Sequence, residues 1–428
     1  MEFSAPTQGE RLSLYHLAQA FAPDADRAEL RAEGRAAVVT MEKGGRILTE
    51  RTPYPADETE KHGRAAAAGL AFAKAALAFG GETPPYGTLT GVRPVKVALR
   101  LLSAGKSPAE AVRLLTERYL VSPEKAALLT DLARIEEREA RPAEVMLYVS
   151  IPFCPTRCRY CSFISSAAPR HLAMIPDYLR LLETDLALAG GAVRAAGKSV
   201  SAVYVGGGTP GILTAPQLER LLKTVRAAVP LEPGAEVTVE IGRPDTVTAE
   251  KLSVLESEGV GRVCVNPQST RDDVLALAGR SHTAADFFRA VEEAKKHPFT
   301  INCDLIAGLA GDDAGFPGIR DAVAEAHRLC IENGLLPYYL YRQKMAAAGL
   351  ENLGFAKEGR LCRYNLCMME DLASIAACGA GAIGKAVRGG EAPIRRFPQP
   401  KYPFEYLAAP DRIVALHGAF QKALEELP

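Results

Sequence analysis

The hydrophobic pattern of the chain changes character near residue 140. Before that point, apolar positions spaced three and four residues apart predict helices over 65–79, 95–103, 108–119 and 123–140, and one β-branched run, AAVVTME at 36–42, predicts a strand. The proline- and glycine-rich stretch PPYGTLTGVRP at 84–94 reads as a connector. Beyond residue 140, short β-branched runs recur at 145–151, 201–207, 236–241, 261–266 and 300–306. Helical stretches separate them, at 176–196, 215–228, 249–257 and 284–296. Strands that are apolar on both faces and alternate with helices belong to a parallel sheet covered by crossover helices. The expected fold class is α/β, a whole or partial (β/α) barrel preceded by a smaller α+β N-terminal domain. The expected boundaries are 1–140, 141–345 for the barrel, and 346–428 for a mostly helical extension packing on it. In such barrels the reactive groups collect where the strands end, so polar residues at those ends are the ones to follow.

Composition narrows the function classes. Lysine plus arginine and aspartate plus glutamate both number 51 in 428 residues, so no overall field draws the chain to nucleic acid or to a membrane surface. An anionic ligand would need a local basic site. The first twenty residues lack a basic region followed by an apolar run, and the most apolar window, 65–80, is short for a bilayer and carries Lys74. Nine cysteines, an odd number and mostly scattered, suit thiols in a reducing compartment, and a cytoplasmic location is expected.

Three of those cysteines are not scattered. Cys154, Cys158 and Cys161 lie within IPFCPTRCRYCSF, immediately after the first barrel strand, with CxxxCxxC spacing. Three thiolates can hold three irons of a four-iron cluster and leave the fourth iron open. The same Cys-x2-Cys pair is a zinc spacing, with His171 available as a fourth ligand, so both metals stay open on spacing alone. The other six cysteines have no tight ligand spacing and read as free thiols. Cys264 and Cys303 read as small buried hydrophobes in strands.

The cysteine loop, together with YVGGGTP at 204–210, VEIGRPD at 239–245, NPQS at 266–269, LAGRSHT at 277–283 and DLIAGLAGD at 304–312, resembles the radical S-adenosyl-L-methionine (SAM) enzymes, and within them the oxygen-independent coproporphyrinogen III oxidase and dehydrogenase family. TLTGVRPVK at 88–96 and YYLYRQK at 338–344 resemble one dehydrogenase subgroup in particular. The barrel is then expected to be of the partial, radical SAM type. The resemblance implies a 4Fe-4S cluster on Cys154, Cys158 and Cys161, with SAM on its open iron. It implies SAM contacts from the glycine run Gly207, Gly208 and Thr209, from the polar residues Glu240, Gln268, Arg280 and Asp304, and from the aromatics Tyr148 and Tyr160. Taken alone, the glycine run is a tight turn, each of the four polar residues an internal ion-pair member, and each tyrosine core packing.

The implied reaction removes hydrogen from a porphyrinogen propionate after reductive cleavage of SAM, then loses carbon dioxide and one electron to leave a vinyl group. An external donor such as a flavodoxin or ferredoxin would supply the electron. Propionates call for basic residues, and Arg93, Lys96, Arg342 and Lys344 are the candidates. Three departures stand out: Ser150 where the better-known oxidases have histidine, Ala310 where proline is usual, and only about twenty-five residues from Gly311 to Tyr338, where family members place a further strand and helix. A haem chaperone on the same scaffold is the first rival. Family chaperones carry a late HNxxYW-like motif, and this chain contains no tryptophan. The other rivals are a SAM-dependent methylase or ring-modifying enzyme and a structural zinc protein.

Overall fold

The structure is a computed structural model that describes residues 2–163, 166–312, 318–342, 351–389 and 392–427. The chain divides into two compact units, Met1–Arg138 with Pro337–Gly354, and Glu139–Leu336 with Phe355–Pro428.

In the first unit, strands β1 (Glu2–Ser4), β2 (Arg27–Ala32), β3 (Ala36–Lys43) and β4 (Arg46–Pro53) form a sheet in that order. β1 runs parallel to β2 and the rest are antiparallel. Only β3 is buried along most of its length, and it is the one strand there that the apolar pattern reveals. β2 and β4 are mostly polar and exposed, so they carry no such run. Two helices, Gln8–Phe21 and Glu60–Ala78, bury Leu14, Phe21, Phe72 and a row of alanines with this sheet. Helices Val95–Ser103, Pro108–Tyr119 and Pro123–Glu139 form a second apolar cluster with Leu340. Among the described residues no helix is long and apolar enough to cross a membrane.

The second unit holds β5 (Val145–Ile151), β6 (Val200–Gly207), β7 (Leu231–Gly242), β8 (Arg262–Val265) and β9 (Thr300–Asn302), consecutive and parallel in one sheet. Fully buried positions in β5 and β6 explain their unbroken apolar runs. Two of the helices between them start on capping boxes, Thr214 with Gln217 before Ala215–Ala228 and Thr283 with Asp286 before Ala284–Ala294.

Two expectations need adjusting. The segment after residue 354 does more than lay helices on the barrel: β12 (Ser374–Cys378) pairs parallel with β5, and β13 (Ile383–Ala386) and β14 (Arg395–Pro398) continue the sheet antiparallel. Residues 337–342, expected with the barrel, and 351–354, expected with the C-terminal extension, instead fall in the first unit, in β10 (Leu336–Arg342) and the start of β11 (Glu351–Ala356), a two-stranded pair. Between β9 and β10 the described residues hold one helix, Ile319–Glu332, none of whose side chains is buried. Among the described residues the sheet ends at β9.

A buried hub locks the C-terminal strands to the barrel. Asp185, fully buried on helix Ile175–Ala195, accepts hydrogen bonds from Gly379 N at 2.8 Å, Tyr406 Oη at 2.6 Å and Gln399 Nε2 at 3.3 Å. His417 Nε2 lies at 2.5 Å from the same carboxylate. Asp185, Cys378 and His417 lie close enough to ligate one ion, but the carboxylate already has a donor for each lone pair.

Candidate functional site

The cysteine loop leaves the end of β5 and returns to it. Cys154 N donates to Ser166 O at 3.1 Å and Ser166 N to Pro152 O at 2.9 Å, which closes the excursion at its base. The far side of the loop leans on the segment after β8: Thr156 Oγ1 donates to Gly279 O at 3.0 Å and Arg159 N to Ala278 O at 3.0 Å. Cys154 is buried, Cys158 and Cys161 partly so.

The glycine run fits against this loop with no spare volume. Gly208 N donates to Ile151 O at 2.9 Å and Thr209 N to Phe153 O at 2.8 Å, while Thr209 Oγ1 sits 3.4 Å from Cys154 Sγ. A Cβ at Gly208 would lie 2.6 Å from Phe153 O and 3.0 Å from Cys154 Sγ. Gly207 adopts a φ of +111°, and a Cβ there would meet Ile151 N at 2.9 Å. The turn needs glycine for backbone conformation at 207 and for close approach at 208.

Glu240, near the end of β7, accepts from Tyr204 Oη at 2.9 Å. A Cβ on Gly206 would come within 2.8 Å of its other oxygen. Burial, then the charge of Asp304, pushes the Glu240 carboxyl up to about 7, against the bonds it accepts from Tyr204 and the Gly207 amide. Asp304 lies two residues past the end of β9, not within the strand as expected. The ladder stops at Asn302, and beyond it Gln268 N donates to Asp304 O at 3.0 Å and Ile306 N to Gln268 O at 2.9 Å. Its side chain is open to solvent, yet the protein crowded around it raises its carboxyl. Gln268 has a left-handed φ of +68°, and its Oε1, like Asn266 Oδ1, is buried with no partner.

Arg280 is buried and reaches across to the cysteine loop. It donates through Nη1 to Tyr160 Oη at 3.0 Å, through Nη2 to Asn266 O at 2.6 Å and through Nε to His282 Nδ1 at 3.4 Å, and Nη1 lies 3.9 Å from Cys158 Sγ. Burial, then the guanidinium groups of Arg280 and Arg243, drives the His282 imidazole down to about 4. Tyr160 itself is 37% exposed. Burial pushes its phenol up to about 12.

Tyr148 joins these groups through Tyr204, whose hydroxyl donates to Glu240. It faces the barrel interior in a stack with Tyr204 and Tyr364, its ring centroid 6.3 and 6.1 Å from theirs. Burial raises its phenol. Of the proposed propionate ligands, Arg342 lies over the Tyr86 ring at 4.6 Å and donates to Leu89 O. Arg93 and Lys96 are in the same unit, and Lys344 is outside the described residues.

Two residues in these contacts escaped the sequence reading. Tyr364 follows no recognisable motif, and its position at the tyrosine stack depends on the helix Arg363–Glu370 that returns late in the chain. Arg243, in GRPD beside Glu240, had a signal in its place at a strand end.

The arrangement fits an open-iron cluster with a bound nucleotide better than it fits zinc. Tetrahedral zinc would bring its thiolates to about 3.8 Å from one another, and among the described residues the three cysteine sulfurs do not all lie within 4.8 Å of each other. His171 is engaged through both ring nitrogens, by Ser166 Oγ and Arg170 Nε. Meanwhile Arg280 has no carboxylate partner among the described residues, and Gln268 Oε1 and Asn266 Oδ1 await donors. A buried cation beside unpaired acceptors is costly without a ligand that carries both an anionic and a donor group.

Comparison with known proteins agrees. The Radical SAM superfamily profile matches residues 148–315. The oxygen-independent coproporphyrinogen-III oxidase-like protein HemZ of Bacillus subtilis is 31% identical over 376 residues, 76% of this chain and 75% of its own. The heme chaperone HemW of Haemophilus influenzae is 30% identical over 295 residues, 61% of this chain and 75% of its own. Among solved structures, coproporphyrinogen III oxidase (HemN) of Escherichia coli aligns over 66% of this chain and 72% of its own, with 21% identity and a TM-score of 0.47. The profile and the HemZ match place the chain in the radical SAM superfamily, among the oxygen-independent coproporphyrinogen oxidase-like proteins, a family that works with a 4Fe-4S cluster and SAM.

Proposed function

We propose that the protein is a radical SAM oxidoreductase that converts propionate side chains of coproporphyrinogen III to vinyl groups without oxygen. The observation that carries the reading is the meeting of the cysteine loop, the glycine run, Glu240, Gln268, Arg280 and Asp304 at one end of a parallel sheet, in a chain similar over most of its length to a coproporphyrinogen-III oxidase-like protein.

In this reading Cys154, Cys158 and Cys161 hold the cluster. Gly207 and Gly208 offer backbone to the methionine portion of SAM, because neither carries a side chain, and Thr209 completes that turn. Arg280 neutralises the methionine carboxylate. Four of its N–H groups already have partners, so a bidentate grip requires the Tyr160 hydroxyl to yield. Glu240 faces the amino group, a cation that would lower its raised carboxyl. Asp304 and the unpaired Gln268 oxygen accept from the ribose and adenine donors, and Tyr160 stacks on the base. Tyr148 acts from the barrel interior. When bound, the cluster and SAM supply one-electron cleavage of a carbon–sulfur bond and so the means of removing hydrogen from the substrate. An external low-potential donor, of the flavodoxin or ferredoxin kind, delivers the electron, in a cytoplasmic setting.

The test is an anaerobic assay with reconstituted protein, dithionite, SAM and coproporphyrinogen III. Protoporphyrinogen, methionine and 5′-deoxyadenosine are expected together. Haem binding with no porphyrinogen consumed would overturn the oxidase reading in favour of the chaperone role named for the Haemophilus influenzae relative. Formation of S-adenosylhomocysteine would favour methylation instead.

A further inference from the structure

Arg243 stands in none of the roles given above, yet it is only 3% exposed and holds together three segments that meet at the cysteine loop. Its Nε and Nη2 grip Asp245 at 3.1 and 3.2 Å, Nη2 also reaches Ser281 Oγ at 2.6 Å, and Nη1 donates to Thr156 Oγ1 at 2.8 Å. The same Nη1 lies 4.0 Å from Cys158 Sγ. Ser281 Oγ closes the ring by donating to Asp245 Oδ2 at 2.6 Å. Arg280 Nη1 lies 3.9 Å from the same sulfur, so Cys158 is bracketed by two guanidinium groups. Cys154 Sγ has the Thr209 hydroxyl at 3.4 Å.

The two guanidinium groups beside Cys158 have an electrostatic consequence. Reducing the cluster adds one negative charge, shared in part by the ligand sulfurs, and N–H groups or cations beside a sulfur favour the reduced form. Arg280 carries an uncompensated charge. Arg243 is balanced by Asp245, whose carboxyl is held low by bonds from Ser281 and Arg243 in spite of its burial. Its positive end nevertheless faces the sulfur while the negative end is tied behind it. A buried arginine fixed at so many points also cannot swing away, so it fixes Thr156 and with it the path of the loop into Cys158.

We infer that Arg243 is a positioning residue for the cluster: through Thr156 and Cys158 it holds the loop in place, and with Arg280 it raises the reduction potential of the iron site on the Cys158 side. The inference rests on the three cysteines holding the cluster.

The test is an EPR-monitored potentiometric titration of the reconstituted protein, with iron counted per chain. Arg243→Gln leaves Asp245 uncompensated beside the sulfur, and the ratio of reduced to oxidised cluster at a fixed potential should fall at least tenfold, a shift of about 59 mV for a one-electron couple. Asp245→Asn should move the ratio the opposite way, and the double variant should return toward the wild-type value. Arg243→Lys keeps a charge but loses the fork, so its cluster should be lost faster to an iron chelator. Opposite shifts from Arg243→Gln and Asp245→Asn cannot come from general loosening, and Asp245→Asn alone remains informative if Arg243→Gln does not fold. Unchanged potentials in both variants, with wild-type iron content intact, would overturn the inference and leave the cysteine assignment standing. A wild-type chain that takes up no iron would instead remove the cysteine assignment.

Discussion

Gly208→Ala is the most direct test of how closely the glycine run fits the cysteine loop. The added methyl would stand 2.6 Å from Phe153 O, 2.9 Å from Phe153 N and 3.0 Å from Cys154 Sγ, where ordinary contact begins at 3.4 Å. The worst of these is too short by about 0.8 Å, and two of the three atoms are backbone, which cannot rotate aside. Gly208 has no positive φ, so the effect isolates crowding from backbone conformation. Overpacking of this kind costs about 1–3 kcal/mol. The atoms that must yield include the first cysteine sulfur, so cluster retention should suffer along with stability. Gly191→Ala is the control: that helical glycine has nothing within 4 Å of a new Cβ and should gain roughly 0.5–1 kcal/mol from the lost flexibility of glycine. Urea unfolding of the two apoproteins and iron per chain after anaerobic reconstitution are the assays. If Gly208→Ala matches Gly191→Ala in both stability and iron content, the close fit described here is wrong.

Other substitutions probe the rest of the account. Glu240 has a folded pKa of about 7 against an ordinary 4.5, so the unfolded chain ionises first. Its contribution to apoprotein stability is fully present below about pH 4.5 and is lost as pH rises through 7, by at most roughly 3 kcal/mol. Glu240→Gln should flatten that loss between pH 5 and pH 8 in urea melts, and a variant that keeps the wild-type slope contradicts the assigned environment. Asp185→Asn should destabilise the second unit by about 3–5 kcal/mol, because it weakens the acceptor that Tyr406, His417 and Gly379 share. Thermal unfolding within 1 °C of wild type would exclude the hub. Arg280→Lys should weaken SAM binding about tenfold, measured by calorimetry on the reconstituted protein, with the apoprotein melting little changed. Equal affinity would remove Arg280 from the nucleotide site.

The parallel strands of the second unit were legible because burial on both faces leaves continuous β-branched runs, as in VMLYVSI, which becomes β5 over the same seven residues. Helices Pro108–Tyr119 and Ala215–Ala228 were equally plain, each opening on a capping residue with proline in the first two helical positions. Hidden features had other causes. β2 and β4 present mostly polar, exposed residues, and β13 has a single exposed isoleucine followed by glycine and lysine. The pairing of β12 with β5 joins residues more than two hundred positions apart, and no local pattern encodes it. At the site, spacing pointed to the cysteine loop and the family resemblance to Glu240, Gln268, Arg280 and Asp304, but only the fold could place Arg280 against Cys158 and Tyr160, or Tyr148 within a tyrosine stack. Arg342 shows the converse: its basic character suggested a propionate ligand, whereas the structure stacks it on Tyr86 and bonds it to Leu89 O.

The central claim is that three cysteines hold a cluster with one iron open to SAM, and EPR of the reduced, anaerobically reconstituted protein tests it most directly. About four irons per chain are predicted, with a reduced-cluster signal that changes shape when SAM is added, and with both lost in Cys158→Ala. A protein that binds one zinc per chain, or whose iron signal ignores SAM, would contradict it.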